Sequence, residues 1–244
     1  MNFGLTFGLA EFPELDSTNA EALRRAASGE AGPLWIRADR QSAGRGRRGR
    51  AWEGGAGNLF ATLLISPERP RADWAQLSFA AAIATADMTA HFAPKAVIAV
   101  KWPNDVLAEG RKLAGILLET AGAGGLTDTL AIGIGVNLAS HPEGTEFPAI
   151  SLAGLGANPP SAQDALSLLA TNFAGWYEVW RDRGFEPVRD AWLARAAYLG
   201  QRIRARLPDR ERAGVFEGID AEGALLLNEG NNVRAIAAGE VFFG

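Results

Sequence analysis

The segment Gly44-Arg45-Gly46-Arg47-Arg48-Gly49-Arg50 decides the fold. Its glycines at positions 44, 46 and 49 satisfy G-x-G-x-x-G, the pattern of a dinucleotide-binding turn. Such a turn opens a helix whose amino end holds the pyrophosphate. Here Ala51-Trp52-Glu53-Gly54-Gly55 and then a β-like run follow, so the doubly wound dinucleotide fold is excluded. What is left is a loop with Arg45, Arg47, Arg48 and Arg50 spaced by glycines, whose free backbone lets guanidinium and N–H donors wrap a phosphate. The alternative is a solvated basic turn.

Outward from this loop, Leu34 to Ala38 and Asn58 to Ile65 read as strands. Ahead of them, Thr18 and Glu21 have capping-box spacing and the alanine-rich stretch to Ala27 stops at Gly29, so a short helix is predicted with Ser17, Thr18 and Asn19 at its amino end. Behind them, Asp73 to Phe92 reads as a helix. Val97 to Lys101, Lys112 to Glu119 and Thr129 to Leu138 read as three short strands. A second capping box, Ser161 and Asp164, precedes a helix to about Arg183, with Leu166, Leu169, Phe173, Trp176, Tyr177 and Trp180 at near-helical spacing. An aromatic stripe of that kind is core. Past Tyr198 the texture turns to short alternating runs, Arg202 to Arg206, Ala213 to Ile219, Leu225 to Asn228 and Val233 to Ile236. Four or five strands in so short a span suggest a small β-barrel-like module. The expected boundary lies near Ala196 to Gly200, dividing residues 1–196 from 197–244. The fold class is thus a mixed α/β unit followed by a small β-barrel.

A chain of 244 residues with 48% hydrophobic content is long enough to bury a core. A net charge of -4 and a pI near 5.4 argue against binding polyanions through the overall field, so any phosphate site is local. With no cysteine and only His91 and His141, thiolate and histidine-rich metal sites are excluded, and so is a cysteine nucleophile. The start, MNFGLTFGLAEF, lacks the basic and apolar regions of a secretory leader, and no apolar run approaches the roughly 20 residues that span a bilayer. A cytoplasmic protein is expected. Nothing ahead of Asp16 is long enough for a helix-turn-helix unit.

Three further clusters carry candidate chemistry. Val100-Lys101-Trp102-Pro103-Asn104-Asp105 ends a strand with a lysine, a ring and two polar residues; strand ends gather sites, though Pro-Asn-Asp alone is a turn signal. Lys101 supplies a fixed charge to a carboxylate or phosphate, and Asp105 either positions the segment or helps hold magnesium. Arg111 to Glu119 places Lys112 just before an apolar strand in which Gly115 permits close approach. Gly133-Ile134-Gly135-Val136-Asn137-Leu138 alternates glycines, clearing one face. Packing alone accounts equally for the last two.

Four segments, ADRQSAGRGRRGRAW, KWPNDVL, KLAGILLE and GIGVNL, occur in the order and spacing of bacterial biotin protein ligases, and Asp16-Ser17-Thr18-Asn19 resembles the same family. The tail, with AGEVFF, resembles its small SH3-like carboxyl-terminal domain, so the likeness covers nearly the whole chain. It departs at the amino end, where some members carry a winged helix-turn-helix repressor domain, so transcriptional control and DNA binding are not expected. The resemblance implies a biotin/lipoate ligase-type catalytic unit that forms biotinyl-5'-AMP and pyrophosphate from biotin and ATP with Mg2+. It then transfers biotin to a lysine of a biotin carboxyl carrier protein of acetyl-CoA carboxylase or a related carboxylase. Lipoate or octanoate ligase or transferase activity is the alternative, and homodimerisation stays open.

The resemblance also implies roles. Lys101 and Arg47 are catalytic. Ser17, Thr18, Asn19, Gln41, Gly44, Arg45, Arg47, Lys101 and Gly115 surround biotin. Arg45, Arg47, Arg48, Arg50, Trp52, Asn104, Lys112 and Asn137 surround ATP or the adenylate. The arginine loop becomes a lid. Trp52 packs against adenine or the closed loop, with core packing as the alternative.

Overall fold

Apolar runs on either side of the arginine loop pair into one sheet in a computed structural model, which describes residues 7–121, 128–207 and 210–242. Its strands are β1 (Gly8–Phe12), β2 (Leu34–Ala38), β3 (Leu59–Ile65), β4 (Ile98–Lys101), β5 (Asp105–Ala108), β6 (Arg111–Ala121) and β7 (Thr129–Val136). They lie in the order β1-β2-β3-β7-β6-β5-β4. Only β1 and β2 are parallel; the other neighbours are antiparallel, giving the expected mixed sheet. Two strands exceed the expectation. β1 is too short and too exposed to carry a pattern, and β5 begins at Asp105, within what reads in sequence as a turn. Trp102, Pro103 and Asn104 are the bend of a β4–β5 hairpin, with a cis Trp102–Pro103 bond. The segment Met1 to Thr6 of the expected leaderless start lies outside the described residues, as does Phe243 of the AGEVFF tail.

Helix α1 (Thr18–Ala27) is capped by Ser17, whose Oγ accepts the Ala20 N–H at 3.4 Å. Glu21 turns instead to Arg24 and Arg25, so the capping box expected on Thr18 does not form. α2 (Leu77–Phe92) starts later than expected because Arg71–Gln76 is a separate 3-10 turn. α3 (Ala162–Arg183) is capped by Ser161 and buries Leu166, Leu169, Phe173, Tyr177 and Trp180, while Trp176 stays half-buried and donates to Asp87 Oδ2. α4 (Glu186–Leu193), too short to show a period in sequence, follows it. None of the helices among the described residues is long and apolar enough to cross a membrane.

The helices cover opposite faces of the sheet. α2, α3 and α4 bury the larger core, whereas α1 seals only a small cluster of Ala22, Ala26, Leu34, Ile36, Leu64 and Ala131. α1 is ten residues long and leaves the rest of its face uncovered. That uncovered face carries the cavity described below.

The last five strands, β8 (Arg202–Arg206), β9 (Glu211–Ile219), β10 (Leu225–Asn228), β11 (Val233–Ile236) and β12 (Glu240–Phe242), form an antiparallel sheet ordered β11-β10-β9-β8-β12. The change of texture near Ala196 is not a break in packing. Trp192 and Phe216 meet edge to face with ring centroids 6.5 Å apart, and Trp102 Nε1 donates to Gly223 O at 3.0 Å. Ile203, Phe216, Leu225 and Leu227 belong to the main core.

Candidate functional site

Strand register assembles the floor of the site. Phe60 pairs with Gly135, Gly135 with Gly115, Gly115 with Asp105 and Asp105 with Lys101, so one cross-strand row runs through β3, β7, β6, β5 and β4. Directly opposed residues share a face of a sheet. The next row pairs Thr62 with Gly133. The alternating glycines therefore clear space, and the structure shows for what. A Cβ at Gly133 would fall 2.1 Å from Asn19 Oδ1, and one at Gly135 would fall 2.4 Å from the Trp52 ring. Gly115 lies under the same indole, 3.0 Å from Cζ3 to a notional Cβ.

Above this floor is a cavity of about 400 Å3. It is lined by Ser17, Thr18, Asn19, Gln41, Arg45, Arg47, Arg50, Trp52, Lys101, Asn104, Asp105, Lys112, Gly115 and Asn137, so most of the residues singled out in sequence come together. Gly44 and Arg48 do not line it. Gly44 is a backbone contact: its carbonyl accepts the Trp52 N–H at 2.9 Å, and a Cβ would strike Trp52 O. Arg48 sits at φ 55° in the 3-10 turn Arg47–Gly49, and its side chain faces solvent.

One end of the cavity is built from hydrogen-bonded hydroxyl and amide side chains. The amino end of α1 brings Ser17, Thr18 and Asn19 there, all buried. Gln41 Oε1 accepts the Thr18 N–H at 2.7 Å and lies 3.0 Å from Thr18 Oγ1. Asn19 Nδ2 donates to Glu119 Oε2 at 2.8 Å and Leu117 O at 3.3 Å. Arg45 pairs with the same Glu119 at 3.2 Å.

The other end is cationic. Lys101 is 4% exposed; its Nζ lies 3.8 Å from Asp105 and 3.1 Å above the Phe147 ring. Burial pushes this amine down to about 7, Asp105 opposes the shift, and Lys112 and Arg50 add to it. Thus Lys101 packs as well as carrying charge, whereas sequence suggests charge alone. Lys112 holds Asp105 at 2.6 Å and sits 5.4 Å from the half-buried Trp52 ring. Arg47 Nη1 donates to Gly239 O at 3.3 Å and reaches Asn104 Oδ1 at 3.5 Å. Burial also lowers the Arg47 pKa, with neighbouring Arg48 adding to it. Arg50 pairs with Glu240 at the start of β12. Asn104 Nδ2 donates to Ile116 O at 2.6 Å, fixing the hairpin bend on β6. Asn137, 2% exposed, donates to Ile150 O while its Oδ1 has no partner.

Sequence reasoning missed the loop after β7 and the start of β12. Glu146 and Phe147 line the cavity, as do Glu240 and Phe242, and the two phenyl rings sit 5.2 Å apart. Asn58, buried, holds that loop by accepting the N–H groups of Leu138, Ala139 and Ser140. No spacing signal marks Phe147; only the resemblance of the tail pointed toward β12. Among the described residues no group of three or more metal-ligating side chains is present.

Residues 12–137 match the Biotin/lipoate A/B protein ligase family, and residues 198–244 match the Biotin protein ligase C terminal domain. A biotin--[acetyl-CoA-carboxylase] ligase of Paracoccus denitrificans is 47% identical over 94% of this chain and 98% of its own length. The corresponding Mycobacterium tuberculosis ligase is 36% identical over 92% and 85%. The bifunctional ligase/repressor of Escherichia coli is 31% identical, and the match covers 96% of this chain but 73% of that protein. The Aquifex aeolicus biotin protein ligase, solved with biotin and ATP, superposes with a TM-score of 0.83 at 24% identity, covering 96% of this chain and 97% of that one; the likeness shows the shared fold.

Proposed function

The chain belongs to the Biotin/lipoate A/B protein ligase family, and from that premise we propose which of its residues do the chemistry of an ATP-dependent biotin protein ligase. The enzyme joins biotin to ATP as biotinyl-5'-AMP and then passes the acyl group to a protein lysine. The observation that carries the assignment of residues is the polarity of one cavity, amide and hydroxyl at Thr18, Asn19 and Gln41 beside one Arg45–Glu119 pair, and rich in bases at Lys101, Lys112, Arg47 and Arg50, which exceed the Asp105, Glu146 and Glu240 carboxylates there. A neutral bicyclic urea fits the first end, and a carboxylate meeting a triphosphate fits the second.

In the first step a biotin carboxylate oxygen attacks the α-phosphorus, the bond to the β-phosphate bridge breaks and pyrophosphate leaves. Negative charge gathers on phosphate oxygens, where preorganised cations stabilise it. We assign this role to Lys101 and Arg47, with Arg50 and Lys112 lining the same end and Arg45 lining the cavity nearer Glu119. Gln41, Ser17, Thr18, Asn19 and Gly115 hold biotin. Asn104, Asn137 and Trp52 take the nucleotide, beside the Phe147 and Phe242 rings. In the second step an acceptor lysine amine attacks the acyl carbon, the acyl–phosphate bond breaks, AMP departs and the amine loses a proton. No protein nucleophile is required.

Asp105 does not fit as a magnesium ligand, because Lys112 at 2.6 Å and Lys101 at 3.8 Å already face its carboxylate. Mg2+ accompanies ATP as part of the substrate, and no step is drawn through a protein-held ion. We read residues 1–196 as the catalytic unit and 197–244 as an SH3-like unit that closes one wall. The acceptor is the carrier protein of acetyl-CoA carboxylase or a related carboxylase, and the site of action is the cytoplasm, where ATP and that carrier meet. Incubating the protein with biotin, ATP and the purified carrier tests this: the carrier gains one biotin mass on one lysine. No mass gain with a folded enzyme contradicts it.

A further inference from the structure

Glu119 and Thr62 do not line the cavity, yet both connect to the side chains at its neutral end. Thr62 is fully buried on β3, with its Oγ1 2.6 Å from Asn19 Oδ1 and 2.8 Å from Thr18 Oγ1. Together with the 3.0 Å approach of Thr18 Oγ1 to Gln41 Oε1, this makes three oxygen–oxygen contacts for two hydroxyl protons. The shortage leaves one contact without a proton, and the fixed point is Asn19. Glu119 Oε2 and Leu117 O only accept, so Asn19 must present Nδ2 to them and Oδ1 to Thr62. The Thr62 proton therefore goes to Asn19 Oδ1. The Thr18 proton goes to Thr62 Oγ1, the nearer acceptor at 2.8 Å, since Gln41 Oε1 at 3.0 Å already takes the Thr18 N–H. Thr18 Oγ1 then faces the cavity with lone pairs only. Gln41 Oε1 is committed to the Thr18 N–H, which leaves Nε2 as the donor of that side chain.

We propose that Glu119 and Thr62 are positioning residues that set the polarity of this chain, so that Thr18 meets the ligand purely as an acceptor and selects a ring bearing an N–H. The inference rests on the ligase reading above and names how its site tells substrates apart. A cyclic urea supplies an N–H donor beside a carbonyl acceptor; a dithiolane supplies neither. A buried acceptor left unmatched costs more than an extra apolar contact returns, which makes such a polarity strongly selective. Gly133 belongs to the same device, because any Cβ there would displace the Asn19 amide. Glu119 also holds Arg45 of the arginine loop, so the acid that orders the urea end touches the lid as well.

Thr62→Val keeps the shape and removes both the oxygen that faces the Thr18 hydroxyl and the donor to Asn19 Oδ1. Biotin KM should rise about tenfold or more while kcat at saturation and the KM for ATP stay within about twofold, the pattern of lost ground-state binding. Thr62→Ser restores the hydroxyl and should bring biotin KM back to within about threefold of wild type. Glu119→Gln, able to turn an amide N–H toward Asn19, should raise biotin KM in the same direction. A folded Thr62→Val enzyme with wild-type biotin KM overturns the proposal, as does a rise that Thr62→Ser fails to reverse. Should Thr62→Val not fold, an unchanged biotin KM in Glu119→Gln overturns it instead. Failure of the wild type to bind biotin would strike the ligase reading itself; binding by the wild type with no effect of these variants strikes only the relay.

Discussion

The two ends of the cavity are built on opposite principles. At the end proposed for the urea, Thr18, Asn19, Gln41 and Thr62 bond to one another, and the one charged pair there, Arg45 with Glu119, anchors Asn19 through the carboxylate. At the end proposed for the phosphates, Lys101 and Lys112 face Asp105, Arg50 pairs with Glu240, Arg47 bonds to Gly239 O and Asn104, and the amine of Lys101 is buried. The first end is ordered by hydrogen bonds within the protein; the second sets four basic side chains against two nearby carboxylates and is suited to an anion. Substitutions at the first end should therefore appear in binding, and those at the second in rate.

The largest effect should come from Lys101. Lys101→Met keeps most of the packing over Phe147 while deleting the charge, and biotin-dependent pyrophosphate release should fall about a thousandfold with biotin affinity largely kept. Near-normal release from a folded variant would erase the contrast between the ends. The buried amine also makes a protonic prediction. Because Lys101 titrates near 7 in the free protein, it is mostly neutral at pH 8, and a bound triphosphate beside it restores the ammonium. Calorimetry in buffers of different ionisation enthalpy should show uptake of about one proton on ATP binding at pH 8, absent in Lys101→Met. The sign for stability is the reverse of a paired lysine. The unfolded chain keeps this proton up to the ordinary lysine range while the folded one sheds it near 7, so the contribution of Lys101 to stability improves as pH rises through that window.

A smaller effect is expected at Arg47, which joins the loop to Asn104 and Gly239. Arg47→Gly should leave adenylate synthesis within about tenfold while increasing its escape, read as biotin on serum albumin added to the reaction. Unchanged albumin labelling with unchanged carrier labelling would return the loop to a solvated turn. The smallest effect belongs to Glu240→Gln, which loses the Arg50 pair; Arg50 is largely exposed, and such pairs contribute about 0–1 kcal/mol. The KM for ATP should shift by about threefold or less, with biotin KM unmoved.

The legibility of the two ends also differs. The phosphate end stands in the sequence as lysines and arginines spaced by glycine, and all but Arg48 reach the cavity. The urea end shows there only as Ser17, Thr18, Asn19 and Gln41; Thr62 and Glu119 sit in apolar strands where nothing in the local pattern marks them. Their role arises from strand register, which sets Thr62 opposite Gly133. Cross-strand pairing is nonlocal, and so is the seating of Phe147 against Phe242 from a loop and a terminal strand. For the fold, periodic elements such as α3 and β8 were readable, whereas β1, β5 and α4 were too short to show a period. The Asp105 strand was hidden because Pro103 and Asn104 read as the end of regular pairing when they are the bend between two strands.

The most direct measurement is pyrophosphate release by the purified protein with ATP and either biotin or lipoate, followed by addition of the carrier. Release should depend on biotin, AMP should appear only when the carrier is added, and lipoate should give little release. Release that is equal with lipoate, or independent of any acyl substrate, would contradict it.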